Sequence, residues 1–274
     1  MTRILFVCLS AAVVVTSACS DKASGTGTAP SPTTSSVAVT LTSPLRIGES
    51  AQAAATATMS NGQTQQVTSG WQSDIPTVAR VSDAGQVTGV ANGRANIYVI
   101  SGGQQGTLGI RVVPDYLGRW SGRLLVTTCT QSGAWAEINF CGDFPAGSSD
   151  PFGLSVNQTG ESINARPNYG SSVFPSVGSS IEPDGSASFV TTLVCSCNPP
   201  ISIEGSWTMN GPRSGELAGT VNEVWRATGI PGEARLSQDI INAVRTSTTP
   251  LLAVDGGGAA ASGKASSLQR LFRR

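Results

Sequence analysis

The chain has 274 residues, of which 39% are hydrophobic and 12% charged, and its 17 basic and 17 acidic side chains cancel to a formal net charge of zero. That balance leaves no electrostatic footprint for a nucleic acid or a polyanion. Histidine is absent, which removes Ser-His-Asp and Cys-His catalysis, histidine-based zinc or iron sites, and the commonest general base near neutral pH. Carboxylate-only chemistry such as glycoside hydrolysis stays open, and no cofactor is indicated. Abundant glycine, serine and threonine between short apolar alternations favour an all-β chain.

Arg3 is followed by an apolar run over residues 4–15, then by the small residues Thr16, Ser17 and Ala18, and then by Cys19. A positive start, an apolar stretch too short to span a bilayer and small residues at the cut predict an export signal over residues 1–18. The segment resembles the lipobox of bacterial lipoproteins, although Thr16 stands where that family prefers Leu, Val or Ile. The resemblance implies that Cys19 is acylated, becomes the new N-terminus and holds the chain on a membrane by its lipid. Ser20 after the cysteine resembles lipoproteins sent on to an outer membrane. The alternative is an ordinary cleaved signal and a soluble exported protein. Residues 19–36 have almost nothing to bury and predict a flexible linker, with a root-mean-square reach on the order of 20–25 Å.

Residues 37–113 have the rhythm of a small β-sandwich. Val37, Val39 and Leu41 alternate, as do Ala51, Ala53, Ala55 and Ala57, and Asn61-Gly62 is a strong turn signal. Trp71 is expected to fill a core that a disulfide pins in other immunoglobulin-like sandwiches. The motifs Gly70-Trp71-Gln72-Ser73-Asp74, Thr77-Val78-Ala79-Arg80-Val81, Gly85-Gln86-Val87-Thr88-Gly89-Val90 and Gly93-Arg94-Ala95-Asn96-Ile97 occur in that order. They closely resemble the bacterial immunoglobulin-like group 2 module. Gly85 and Gly93 are expected to supply positive φ at turns, and Val78, Val81, Val87 and Val90 to face inward. The resemblance implies a surface or adhesion protein in which the module serves as a spacer more often than as a binder.

Pro114-Asp115-Tyr116-Leu117 marks the boundary to a second domain over residues 114–245. Alternating segments at 123–128, 154–158, 162–165, 187–193, 201–209 and 216–227 are predicted strands, with turns at Glu182-Pro183-Asp184-Gly185 and at Asn210-Gly211. Local hairpins in succession predict a small antiparallel barrel or curled meander, followed by a short C-terminal helix over residues 236–245. Gly118-Arg119-Trp120 and that last segment are faintly similar to lipocalin-type barrels. The similarity implies that Trp120, Trp207 and Trp225 line a ligand cavity; the plainer reading has them fill the core.

Cys129, Cys141, Cys195 and Cys197 in an exported chain predict two structural disulfides. In an extended strand Cys195 and Cys197 lie about 6.5–7 Å apart, at the edge of bridge geometry, so pairing across to Cys129 and Cys141 is expected. A four-thiolate zinc site and CxC redox chemistry are the alternatives. Asp143 and Asp150 flank a loop that admits calcium but reads better as solvated charge. Glu204, Glu216 and Glu223 are the carboxylates a glycosidase would draw on. Residues 246–274 predict a disordered tail whose Leu268, Leu271 and Phe272 share a helical face beside arginines. The whole reads as a lipid-anchored envelope protein with a non-catalytic surface-binding module, its ligand a glycan, a peptide or another envelope protein. A carrier of a small apolar molecule is the alternative.

Overall fold

The computed structural model describes residues 30–169, 172–195, 198–213 and 215–250. Cys19, the linker up to residue 29 and most of the predicted tail lie outside the described residues, as does Cys197. The first ten strands are β1 (Thr34–Thr40), β2 (Leu45–Arg46), β3 (Ser50–Gln52), β4 (Ala54–Met59), β5 (Thr64–Val67), β6 (Trp71–Ser73), β7 (Ala79–Val81), β8 (Gln86–Gly89), β9 (Gly93–Ser101) and β10 (Gln104–Val113). They form three small sheets, ordered β1-β4-β5, β2-β10-β9-β6 and β3-β8-β7. The predicted alternation sets the burial. Ala55 and Ala57 on β4 and Ile97 and Val99 on β9 turn inward, and Trp71 is buried against Leu45, Val87, Ile110 and Val112.

Three local details differ from expectation or sharpen it. Strand β1 begins at Thr34, inside the predicted linker. Its start is held by the ladder to β4, by Ser35 Oγ donating to Thr58 O and by burial of Thr34, none of which an apolar count detects. Gly85 has φ 85°, and a Cβ there would lie 2.8 Å from Trp71 Nε1, so this turn needs glycine both for its backbone and for the indole beside it. Of the four valines, Val87 is fully buried and Val78 and Val81 pack partly against the core, whereas Val90 lines a groove against the second domain.

The second half contains β11 (Gly118–Gln131), the single-turn helices α1 (Ala134–Glu137) and α2 (Phe140–Asp143), β12 (Ser149–Thr159), β13 (Ser162–Tyr169), β14 (Ser172–Val173), β15 (Val177–Ser180), β16 (Ala187–Cys195), β17 (Ile201–Arg213), β18 (Glu216–Ala227) and β19 (Ile230–Ser247). The antiparallel ladder runs β16-β17-β18-β19-β11-β12-β13, and both β14 and β15 pair with β13. Ile181 bridges Ala187, and Ser179 Oγ donates to Ser188 O at 2.6 Å, which joins β15 to β16 and nearly closes an eight-stranded up-and-down barrel. Closure leaves little free sheet edge, which is how antiparallel architectures avoid unwanted pairing.

Residues 236–245, expected to be helical, belong to strand β19. Ala234, Leu236, Gln238 and Ile240 point inward with period two. A bulge at Asn242, where φ is 52°, then shifts the phase so that Ala243 faces in next. That phase slip makes a strand imitate helical spacing. Asn210-Gly211 is likewise not a turn but a bulge within β17, and the chain reverses at Gly215, φ 81°. Gly211 serves a different need, because a Cβ there would sit 2.8 Å from Pro114 Cγ.

Candidate functional site

The barrel's inward alternation delivers rings to its axis. Trp207 on β17 stacks on Phe189 of β16, with centroids 5.8 Å apart and planes at 9°, and lies 6.2 Å from Tyr169 of β13 and 6.0 Å from Phe152 of β12. Its Nε1 donates to Thr191 Oγ1 at 3.1 Å. Trp120 on β11 donates from Nε1 to Tyr116 O at 2.8 Å, and the Arg245 guanidinium lies 4.7 Å above its ring. Trp225 on β18 sits in a second apolar cluster with Phe140, Phe144, Ile201 and Ile203. Trp120, Trp207 and Trp225 are each almost wholly buried in packed clusters. The three tryptophans singled out by sequence therefore fill the core, one at the end facing the first domain, one at the centre and one at the far end.

Between the two clusters lies a buried carboxyl group. Glu223 accepts from the Tyr169 hydroxyl at 2.7 Å and from Trp225 Nε1 at 3.0 Å. Burial, then the neighbouring Glu223 and Asp150, holds the Tyr169 hydroxyl well above its ordinary pKa, so it stays a proton donor. The signal for Glu223 was present in the sequence: Val221, Glu223 and Trp225 alternate on the inner face of one strand. Glu204 and Glu216 are exposed, so these three carboxylates do not converge on one bond. Asp143 is exposed on α2 and Asp150 sits on β12.

The far mouth is covered by residues 132–148. Trp135 and Phe140 meet edge to face at 5.3 Å, and Phe140 packs on Phe144 at 4.7 Å and on Trp225 at 5.4 Å. Cys129 on β11 bonds to Cys141 on α2, with Cα atoms 5.6 Å apart. This corrects the expected pairing across to Cys195 and Cys197. Two short helical turns fold the intervening residues back on the strand end and bring together two cysteines 12 positions apart. Cys195 is itself disulfide-bonded. Strand reasoning missed this cover because it has no period of either kind; its apolar content, Trp135 with Phe140 and Phe144, was the readable signal.

The near end meets the first domain in a hydrogen-bonded joint. The buried Arg111 guanidinium donates from Nε to Glu161 Oε1 at 3.2 Å and from its terminal nitrogen to Glu182 O and Pro183 O, each at 3.1 Å. Asp115 is held by Arg245 at 2.7 Å and lies 3.7 Å from Arg46. Tyr116 N donates to Gln158 Oε1 at 2.8 Å, and its hydroxyl donates to Gly185 O and Met209 O at 2.8 and 3.1 Å. Burial, and secondarily the charge of Asp184, raises that hydroxyl's pKa and keeps it protonated. Beside the joint runs a groove of about 990 Å³ between Ile47, Val90 and Asn92 on one wall and the β17, β18 and β19 rim on the other, with Pro114 in its floor. Asp184 projects at its edge, kept ionised below the usual carboxylate range by the Ser186 backbone N–H and hydroxyl. Of the groove residues the sequence singles out only Glu216 as a site residue, as a glycosidase carboxylate; the others come together only through the joint.

No curated protein matches the chain. Among solved structures, "Structure of the S-layer protein SbsC, domains 5-6" is similar at 15% identity, covering 75% of this chain and 97% of that one with a TM-score of 0.26; an overlay that loose bears on neither fold nor function. The family model for the bacterial Ig-like domain (group 2) matches residues 33–112, which are the three-sheet unit described above. Residues 33–112 are therefore a bacterial Ig-like domain of group 2.

Proposed function

We propose that the chain is an envelope protein, held on a membrane by acyl chains on Cys19, that displays a non-catalytic binding module. In this reading the Ig-like domain is a rigid spacer and the barrel carries recognition on its outside. The observation that carries it is the filled barrel continuous with a bacterial Ig-like domain: the interior is occupied by Trp207, Phe189, Tyr169 and Phe152 at one level and by Trp225, Phe140 and Phe144 at the next. A carrier of small apolar molecules needs that volume for its ligand. The joint at Arg111 and Tyr116 supports the spacer role, because a buried, multiply bonded guanidinium fixes the second domain at a set distance from the first. The Ser20 side of the cleavage site favours an outer membrane.

The test is fractionation of cells making the full-length chain, with palmitate labelling. The native protein is expected to incorporate label and sediment with membranes, since each buried acyl methylene contributes about 0.8 kcal/mol and two or more chains hold firmly. Cys19→Ala is expected to lose the label and enter the soluble fraction. An unlabelled native protein found in the cytosol would overturn the proposal.

A further inference from the structure

We infer that the groove between the Ig-like domain and the barrel binds a short neutral oligosaccharide; this rests on the reading of the chain as a displayed binding module. The walls are held at fixed spacing. A Cβ at Gly185 would come within 3.0 Å of Asn92 in the first domain, so the two domains touch there without an intervening side chain; one at Gly211 would come within 2.8 Å of Pro114 at the boundary, and the Arg111 bonds lock the contact. Preorganised clefts at domain boundaries are preferred ligand positions, and about 990 Å³ is ample for a few sugar rings.

The barrel rim is altered where it lines this groove. One ladder irregularity falls between Asn210 and Arg213 on β17, and another at Asn242 on β19, whose φ of 52° is left-handed. Bulges at barrel rims re-aim side chains, and both of these place an amide on the groove lining. Asn92 adds a third amide from the opposite wall, its Nδ2 donating to Pro183 O at 3.2 Å, which fixes the amide in place. Amides donate and accept at once, which matches sugar hydroxyls, while Ile47 and Pro114 offer apolar surface to the C–H faces of a ring.

Other ligand classes fit less well. Asp184 and Glu216 outnumber Arg213 on the lining, which disfavours acidic glycans. An extended peptide binds by adding to a free, regular strand edge, but β18 and β19 are paired on both sides, and β17 beyond its last pair with β16 at Met209 is broken by the bulge. The lining includes no aromatic platform, so single-site affinity should be weak and function through many displayed copies.

The experiment is saturation-transfer NMR and titration of the purified full-length chain with maltotriose and chitotriose, with a sialylated trisaccharide as the acidic comparison. At least one neutral trisaccharide is expected to bind with a dissociation constant on the order of 1 mM. Asn242→Gly removes the amide while suiting the left-handed backbone, so it should weaken binding about tenfold and leave the thermal midpoint unchanged or raised. Asn210→Ala should act in the same direction. The inference fails if neither neutral sugar binds at about 10 mM, if binding ignores both substitutions, or if the acidic sugar binds more tightly. Membrane fractionation separates the two readings: a membrane-bound chain that ignores sugars sinks the groove alone, and a cytosolic chain that binds them sinks the display alone.

Discussion

Trp207→Ala is expected to lower the stability of the barrel by about 3–5 kcal/mol, the range for truncating a large buried aromatic. Trp207 is nearly solvent-free and lies at the centre of three rings, with Phe189 parallel on one side and Tyr169 and Phe152 around it. Its removal opens a cavity that the ladders on both sides of β17 prevent from collapsing, and it leaves Thr191 Oγ1 without the indole donor. Trp207→Phe keeps most of the ring and loses only the donor, so it should cost roughly 1–2 kcal/mol. Urea unfolding of the three proteins checks the order, and for a chain this long the alanine variant should melt on the order of 10 °C lower. Equal stability of native and alanine forms would mean that the ring does not pack as described.

The second large effect is expected from the cover over the far mouth. Replacing Cys129 and Cys141 together with alanine removes a crosslink between residues 12 apart, which the chain-entropy account values at about 3 kcal/mol. The loss should be local at first. Helices α1 and α2 are four residues each, far shorter than isolated helices need for stability. The bridge, the stack of Trp135, Phe140 and Phe144 on Trp225, and a hydrogen bond from Cys141 N to Gln131 Oε1 hold them down. Strand β11 keeps its ladders to β12 and β19 either way. Hydrogen exchange should therefore speed up by about two orders of magnitude across residues 132–148, with little change in the middle of β11 and β19. Acceleration spread evenly over the barrel would show instead that the cover and the barrel open as one unit.

Much of this architecture was readable from the chain because period-two burial and turn chemistry agree over long stretches. Strand β18 coincides with its predicted span, the Glu182 to Gly185 turn joins β15 to β16, and the Ig-like motifs locate their domain. The misreadings have physical causes. Asn242 shifts the phase of β19 and so mimics a helix; Gly211 serves a close approach to Pro114 and not a reversal. Strands β14 and β15 are short and carry mostly serine, glycine and valine, so their pairing with β13 comes from the barrel's closure and not from apolar content. The Cys129–Cys141 bridge depends on helical turns that strand geometry does not anticipate. At the sites, the burial of the three tryptophans followed from their strand positions. The joint around Arg111 and the groove beside it join residues some 50 to 130 positions apart in sequence, and no local pattern encodes such meetings.

Titration of the full-length protein with a long-chain fatty acid, followed by tryptophan fluorescence, tests most directly whether the barrel is a packed core or a container. A filled interior predicts no saturable change in emission, because Trp207 and Trp225 already have protein on every side. Saturable one-to-one quenching, lost when the acid is displaced, would contradict it and make the barrel a carrier.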